Sequence, residues 1–379
     1  MKEEFLIYLL PFFIAFSVSL LLTPYTKTLS KKFKVLAVPN ERSMHSEPKG
    51  LLGGVAIFLG FNAGVSLLFF YVPNAAELNT AEFYKEFIGF LIGGLVIFIV
   101  GIIDDKYTLK ARVKLLFQIL VALIVILSGI TIDLIQYPIS FETQWLNSAI
   151  TLVWIVGIIN AVNIIDGIDG LAAGVSAISA FFMMILCMLS GSTISVVFAA
   201  SLAGSCLGFL PRNFYPSEIF MGDTGAMFLG YVLSVSSILG VFKGYALLSI
   251  VISVLVLAFP IFDVGFAMLR RALAGKPIMS ADRGHLHHRI YDAGFSERKT
   301  VMILYLISFI CALLAVIIAL KDVRAVIITV MFIIVLFSMT ISYRVKHIQK
   351  KHKKAEEELN KTVVTEETTT EFSENEEEN

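Results

Sequence analysis

Apolar runs of about twenty residues recur along this chain from one end nearly to the other, and that repetition limits what it can fold into. A helix rises about 1.5 Å per residue, so such a run covers the roughly 30 Å hydrocarbon core of a bilayer. In lipid every backbone polar group must be satisfied internally, which a helix does by itself. Runs over 5–24, 51–72, 86–103, 115–132, 146–162, 171–190, 192–210, 225–241, 245–269, 300–320 and 325–343 predict an all-α polytopic membrane protein with about eleven transmembrane helices. A soluble fold is excluded by composition: 57% of the 379 residues are hydrophobic and 16% are charged, against about 25% charged in a soluble domain. The first run precedes Thr23-Pro24 rather than a small-residue cleavage site, so it reads as a retained helix and not as a signal peptide.

Charge placement sets the orientation. With 25–50, 104–114, 211–224, 270–299 and the tail from 344 on one side, that side holds 25 of the 30 Lys and Arg residues. Positive charge is retained in the cytoplasm, so the N-terminus is expected outside and the C-terminus inside, with the helices in contact with membrane lipids. The domain reading is an integral membrane unit over 1–343 and a cytoplasmic tail over 344–379. That tail runs from basic to acidic, with ten Glu in its last 25 residues and too little apolar surface to fold. Formal net charge is zero, which gives no argument for a nucleic-acid partner. Cys187, Cys206 and Cys311 lie in apolar runs and read as small hydrophobes. The pairs Gly50/Gly54, Gly60/Gly64, Gly89/Gly93 and Gly204/Gly208 read as surfaces for close helix packing. No internal repeat of the kind that builds transporters is visible.

Four polar clusters interrupt the apolar pattern, all at predicted cytoplasmic ends. The first is Asp104-Asp105, followed by Lys106, Lys110, Arg112 and Lys114. Neighbouring residues on a helix point about 100° apart, so one Asp is expected to serve a ligand and the other a nearby cation, with a solvated helix end as the bland alternative. The second is Asn160, Asn163, Asp166 and Asp169, spaced by three, which share a face if the turn is as tight as a 3₁₀ helix. Carboxylates at such depth are costly and point to function. The third is Arg212-Asn213 with Phe220-Met221-Gly222-Asp223-Thr224-Gly225, where Asp223 either caps the next helix or binds a ligand. The fourth is Arg283-Gly284-His285-Leu286-His287-His288-Arg289, whose flanking arginines favour an anion over a metal. Asp263 reads as an internal pairing residue near Pro260. Converging carboxylates repel one another and a phosphate alike, so a divalent cation between them is expected. Mg²⁺ suits the oxygen ligands best, with Mn²⁺ as a substitute.

These residues resemble the polyprenyl-phosphate N-acetylhexosamine-1-phosphate transferases. The resemblance runs from about Pro39 to Arg289 and takes in all four clusters in order. His285-Leu286-His287-His288-Arg289 is similar to the WecA/TagO branch, whereas the branch acting on UDP-N-acetylmuramoyl-pentapeptide has three consecutive histidines followed by Phe-Glu. The resemblance implies UDP-N-acetylglucosamine (UDP-GlcNAc) as donor, undecaprenyl phosphate as acceptor, and a product that starts a teichoic acid or O-antigen type polymer. It implies that Asp223 binds Mg²⁺ and that Asn163, Asp166, Asp169, Asn213 and Phe220, with Asn160 in the same segment, line the nucleotide-sugar site. Lys114 would lie near the β-phosphate, and Arg283, His285, His287 and His288 would contact sugar or diphosphate. Lys49 or His45 would contribute from the first inside loop, where the motif departs from the family pattern. Ala226 stands where some members carry Ser. A homodimer is compatible with this reading.

The implied chemistry is a single displacement in which a lipid phosphate oxygen attacks the β-phosphorus and UMP leaves, with Asp104 or Asp105 as base or as a positioning group. The alternatives are a pentapeptide transferase of the same family and, from another class, an ion-coupled transporter. The orientation is testable on its own. A reporter active only outside the cytoplasm should be silent when fused after Arg283 or Lys350 and active near Asn79 or Glu142; activity at 283 would overturn the sidedness.

Overall fold

In a computed structural model of the chain, the residues described are 2–37, 47–68, 80–133, 141–240, 246–273 and 286–320. Among them, seven helices are long and apolar enough to cross a bilayer. They belong to α1 (Lys2–Lys32), α3 (Ala81–Tyr107), α5 (Phe141–Ile165), α6 (Leu171–Ser190), α7 (Thr193–Asn213), α8 (Gly222–Gly240) and α12 (Glu297–Ala319). Shorter helices complete the set: α2 (Gly53–Val65), α4 (Ala111–Leu127), α9 (Ala246–Val256), α10 (Ala258–Leu273) and α11 (Leu286–Asp292). Helix ends follow local chemistry. The Thr80 hydroxyl accepts from the Phe83 N–H at 3.1 Å and caps α3, and Gly191, at φ +77°, ends α6 in the left-handed conformation. The predicted run 325–343, the tail from 344, Arg283, His285 and His45 lie outside the described residues.

The structure departs from the sequence reading in two places. The predicted single span 245–269 is two helices, α9 and α10, parted at Leu257. Pro260 has no N–H to give to the Val256 carbonyl four residues back, and its ring crowds that carbonyl. The Ser179 hydroxyl donates to the Val256 carbonyl instead, at 2.8 Å. The all-α expectation is also interrupted by a two-residue ribbon, β1 (Leu36–Ala37) antiparallel to β2 (Lys49–Gly50). A parallel bridge from Gly50 to Ile219 then ties the first loop to the segment ahead of α8.

Helix α8 is the buried centre, packed against α2, α3, α5, α6 and α7. Tyr231 fills its middle, fully buried, with its hydroxyl donating to the Phe90 carbonyl at 2.7 Å. Glycines let the neighbours close in. Gly60 and Gly64 lie against α1 backbone carbonyls, Gly204 and Gly208 against those of Phe12 and Phe16, and Gly93 against Tyr231. At the amino end of α8 the contact is backbone on backbone. A Cβ at Gly54 would overlap Gly225, and one at Gly101 would overlap Thr224. Gly54→Ala should therefore destabilise the detergent-purified protein by about 1–3 kcal/mol or more. Gly157→Ala, where nothing lies within 4 Å, should stay within about 0.5 kcal/mol of wild type. Equal melting of the two variants would refute the close approach.

Candidate functional site

Because successive helices alternate in direction, the carboxyl ends of α3, α5 and α7 meet the amino ends of α4 and α8. They enclose a cavity of about 650 Å³, lined among others by Asp104, Asp105, Lys114, Asp166 and Asp223. This volume suits a small-molecule ligand. One wall is a charge cluster. The Lys114 ammonium sits between the carboxylates of Asp104 and Asp223 and is ion-paired with both. Asp104 is buried, and its other oxygen accepts the Leu109 N–H at 2.6 Å, which fixes the turn from α3 to α4. Thr108, at φ +52°, closes α3 with its N–H on the Asp104 carbonyl.

Asp105 turns towards α8. Its carboxylate accepts the N–H groups of Asp223 and Thr224 at 2.7 and 3.0 Å and the Thr224 hydroxyl at 2.5 Å. The cap of α8 thus comes from another helix. Asp223 does not cap its own helix and faces the cavity beside Lys114.

The predicted face of four polar residues is only partly formed. Helix α5 stays α-helical through Ile165, and Asp166 and Asp169 follow in the turn before α6. Asn163, Asp166 and Asp169 line the cavity. Asn160 is not brought there: its amide donates to the Gln118 side chain at 2.6 Å and to the Val156 carbonyl at 2.8 Å. Asp166 has no hydrogen-bond or ion-pair partner among the described residues. Burial pushes its carboxyl well above the ordinary range, and Asp223, Asp105 and Asp169 push it the same way.

The opposite wall is tied together by Asp169. It accepts the Ser217 N–H at 2.8 Å and lies 3.5 Å from the Lys49 ammonium, which donates to the Ser217 hydroxyl at 2.9 Å. Lys49 also lies 5.0 Å from the centre of the Phe220 ring. The buried Asn213 amide donates to the Ile219 carbonyl at 3.0 Å, holding the loop from which Phe220 projects. Behind the turn, the Tyr305 hydroxyl donates to the Gly170 carbonyl. His287 and His288 fall on α11, but their side chains lie outside the description. Glu47, Tyr215, Ser217 and Glu297 line the cavity without having been singled out in the sequence. Glu297 sits in the first turn of α12, where an acid reads as a helix-dipole complement, so no signal marked it.

The donor set of the acidic wall is carboxylate oxygen without sulfur. No group of three or more His, Cys, Asp or Glu among the described residues forms a ready-made metal cage. Mg²⁺ is usually held by one or two carboxylates plus substrate phosphates, so Asp223 with the unpartnered Asp166 fits it.

Fold and cavity define a multi-pass membrane protein with a charged, ligand-sized chamber at one end of its helices. Residues 87–241 match the model of glycosyl transferase family 4. The chain is 35% identical over 311 residues to the Bacillus subtilis strain 168 protein named "Probable undecaprenyl-phosphate N-acetylglucosaminyl 1-phosphate transferase", covering 80% of this chain and 84% of that one. It is 33% identical over 305 residues to the decaprenyl-phosphate N-acetylglucosaminephosphotransferase of Mycobacterium tuberculosis strain H37Rv, covering 74% of each. It is 29% identical to the phospho-N-acetylmuramoyl-pentapeptide-transferase of Desulforamulus reducens, over 79% of this chain and 92% of that one. The chain belongs to glycosyl transferase family 4.

The Asp166 environment gives a stability test. A carboxyl with a raised folded pKa costs nothing below the ordinary carboxylate range and increasingly destabilises the fold as pH climbs through its raised value. Without divalent cations, Asp166→Asn should therefore melt at least as high as wild type at pH 6 and clearly higher at pH 8. A variant that melts lower at both values would show that Asp166 has a stabilising partner.

Proposed function

We propose that the protein transfers N-acetylglucosamine 1-phosphate from UDP-GlcNAc to undecaprenyl phosphate and releases UMP, as an early membrane step in making a cell-envelope polysaccharide. The observation that carries the reading is Lys114 held between Asp104 and Asp223 on the wall of the cavity, in a chain that belongs to this family. Donor choice follows the relatives matched over about three quarters or more of this chain, where proteins named for N-acetylglucosamine transfer reach 35% and 33% identity and a pentapeptide transferase 29%.

An oxygen of the lipid phosphate attacks the β-phosphorus of the donor. A new P–O bond forms as the bond to the bridging oxygen breaks, and UMP departs with that electron pair. A phosphomonoester has a second pKa of about 6, so the acceptor is largely dianionic at neutral pH and is already a competent nucleophile. Lys114, fixed from α3 by Asp104 and from α8 by Asp223, offers positive charge to the phosphoryl oxygens as charge builds on them. Asp223, with Asp166 on the same wall, would hold Mg²⁺, which when bound neutralises phosphate charge and polarises the reacting group. Lys49, Asn163, Asp169, Asn213 and Phe220 give the cavity its second, mixed polar and aromatic wall for the nucleotide sugar. The histidine segment, Arg283 to His288, would contact sugar or diphosphate.

The setting proposed for this chemistry is a bacterial cytoplasmic membrane crossed eleven times, with the N-terminus outside and the cavity opening to the cytoplasm. Its catalytic unit is 1–343, and 344–379 forms a solvated tail. Support comes from the Lys and Arg asymmetry and from site residues gathered at one end of the bundle. A transporter would need access from both sides.

Purified protein with Mg²⁺, UDP-GlcNAc and undecaprenyl phosphate should release UMP only when the lipid is present and yield a lipid product of the expected mass. No release with any UDP-sugar would refute the reaction. Asp223→Asn keeps shape but loses the charge a hard cation needs, so turnover should fall at least about a hundredfold. Unchanged turnover and metal dependence would move the metal away from Asp223.

A further inference from the structure

We propose that Asp105 is a positioning residue: its carboxylate grips the amino end of α8 and thereby sets where Asp223 stands. The proposal rests on the phosphotransfer reading and deepens it. Both Asp105 oxygens are engaged, Oδ1 by the Asp223 N–H and Oδ2 by the N–H and hydroxyl of Thr224. A helix leaves its first N–H groups without internal partners, and a side chain just ahead usually meets them. Here the residues ahead are Met221 and Gly222, which have no side-chain oxygen, so the acceptor is supplied from 118 residues earlier. A carboxylate at this end also complements the helix dipole.

Two independent features support this role. Thr224 is fully buried and is not among the cavity-lining residues, so its hydroxyl bond to Asp105 belongs to the joint and not to a ligand. The carboxylate edges the cavity but is closed in on its α8 side. Gly222, at φ +68°, has no room for a Cβ, which would overlap both the Asp105 carboxylate and the Leu51 carbonyl. A proton acceptor needs a lone pair aimed at the reacting group, whereas three hydrogen bonds from α8 take up most of the acceptor sites of Asp105. The residue it grips is the one that meets Lys114. Lys114 in turn is tied to Asp104, so both members of the Lys114–Asp223 pair are referenced to adjacent residues of α3.

The test compares Asp105→Asn, Asp105→Glu, Asp105→Ala and Thr224→Val in the full-length protein in detergent. Asn keeps one acceptor oxygen but sets an NH2 against α8 at the other position, whereas Glu keeps the charge at the wrong length. Positioning predicts that Asn, with part of the grip, lies between wild type and Ala in kcat and exceeds Glu, with Ala about a hundredfold down. Thr224→Val should lose several-fold in kcat with little change in the KM for UDP-GlcNAc. Melting should follow the same order, with Asn below wild type and both Ala and Glu lower still by several degrees. A catalytic base predicts the reverse, an active Glu variant and an Asn variant as inactive as Ala. Glu surpassing Asn, Asn no better than Ala, or Thr224→Val matching wild type in both kcat and melting would each overturn the proposal. A wild type that releases no UMP would refute the reaction itself, and the melting order would still judge the joint.

Discussion

The amino end of α8 meets α2 and α3 with backbone packed directly on backbone. Gly54 faces Gly225, Gly101 faces Thr224, and Gly222 faces the Leu51 carbonyl, each without room for a methyl group. In a membrane the hydrophobic effect does not drive helices together, so close packing and hydrogen bonds must do so. Here both act at one place. The approach of α3 is what lets a side chain as short as Asp105 reach two backbone N–H groups, and the backbone bonds from Gly53 and Gly54 to the Phe220 and Met221 carbonyls hold the other side. The position of Asp223 and the segment carrying Phe220 depend on this joint.

The cavity shows what the bundle does with charge. Three of its carboxylates are answered by protein groups: Asp104 by Lys114 and a backbone N–H, Asp105 by α8, and Asp169 by Lys49 and Ser217. Asp223 shares Lys114, and Asp166 has no hydrogen-bond or ion-pair partner among the described residues. Acidic charge is therefore left over beside Asp166 and Asp223, where a cation and the phosphates it carries would restore balance.

Much of this was legible in advance, because a bilayer imposes a simple length rule and punishes stray charge. The apolar runs marked the long helices, and the clusters around Asp104, Asp166 and Asp223 came out on one cavity. What sequence could not reveal were contacts between distant segments. From sequence Asp223 could either cap the helix it opens or bind a ligand, and only the structure shows that the cap is Asp105. Asn160 looked like part of a polar face, but Gln118, on another helix, takes its amide. The break at Leu257 had a visible cause in Pro260, though an apolar run through it reads as continuous. A two-residue strand at Lys49–Gly50 is too short to show any periodicity, yet it sets the backbone from which Lys49 reaches Asp169.

The glycine joint also has a meaning in time. Gly54 and Gly225 are separated by about 170 residues of chain, which at roughly 5–20 residues per second takes the ribosome about ten to thirty seconds to make. Once α3 has been made, for the rest of that interval α2 and α3 are present without the helix that covers their bare faces, and Asp105 is a carboxylate near the membrane without its α8 donors. An ionisable group so placed is costly until paired. The nascent chain is therefore most vulnerable to membrane quality control after α3 has inserted and before α8 arrives. Substitutions that slow the seating of α8 will lower the amount of protein in the membrane even where the finished molecule would be active.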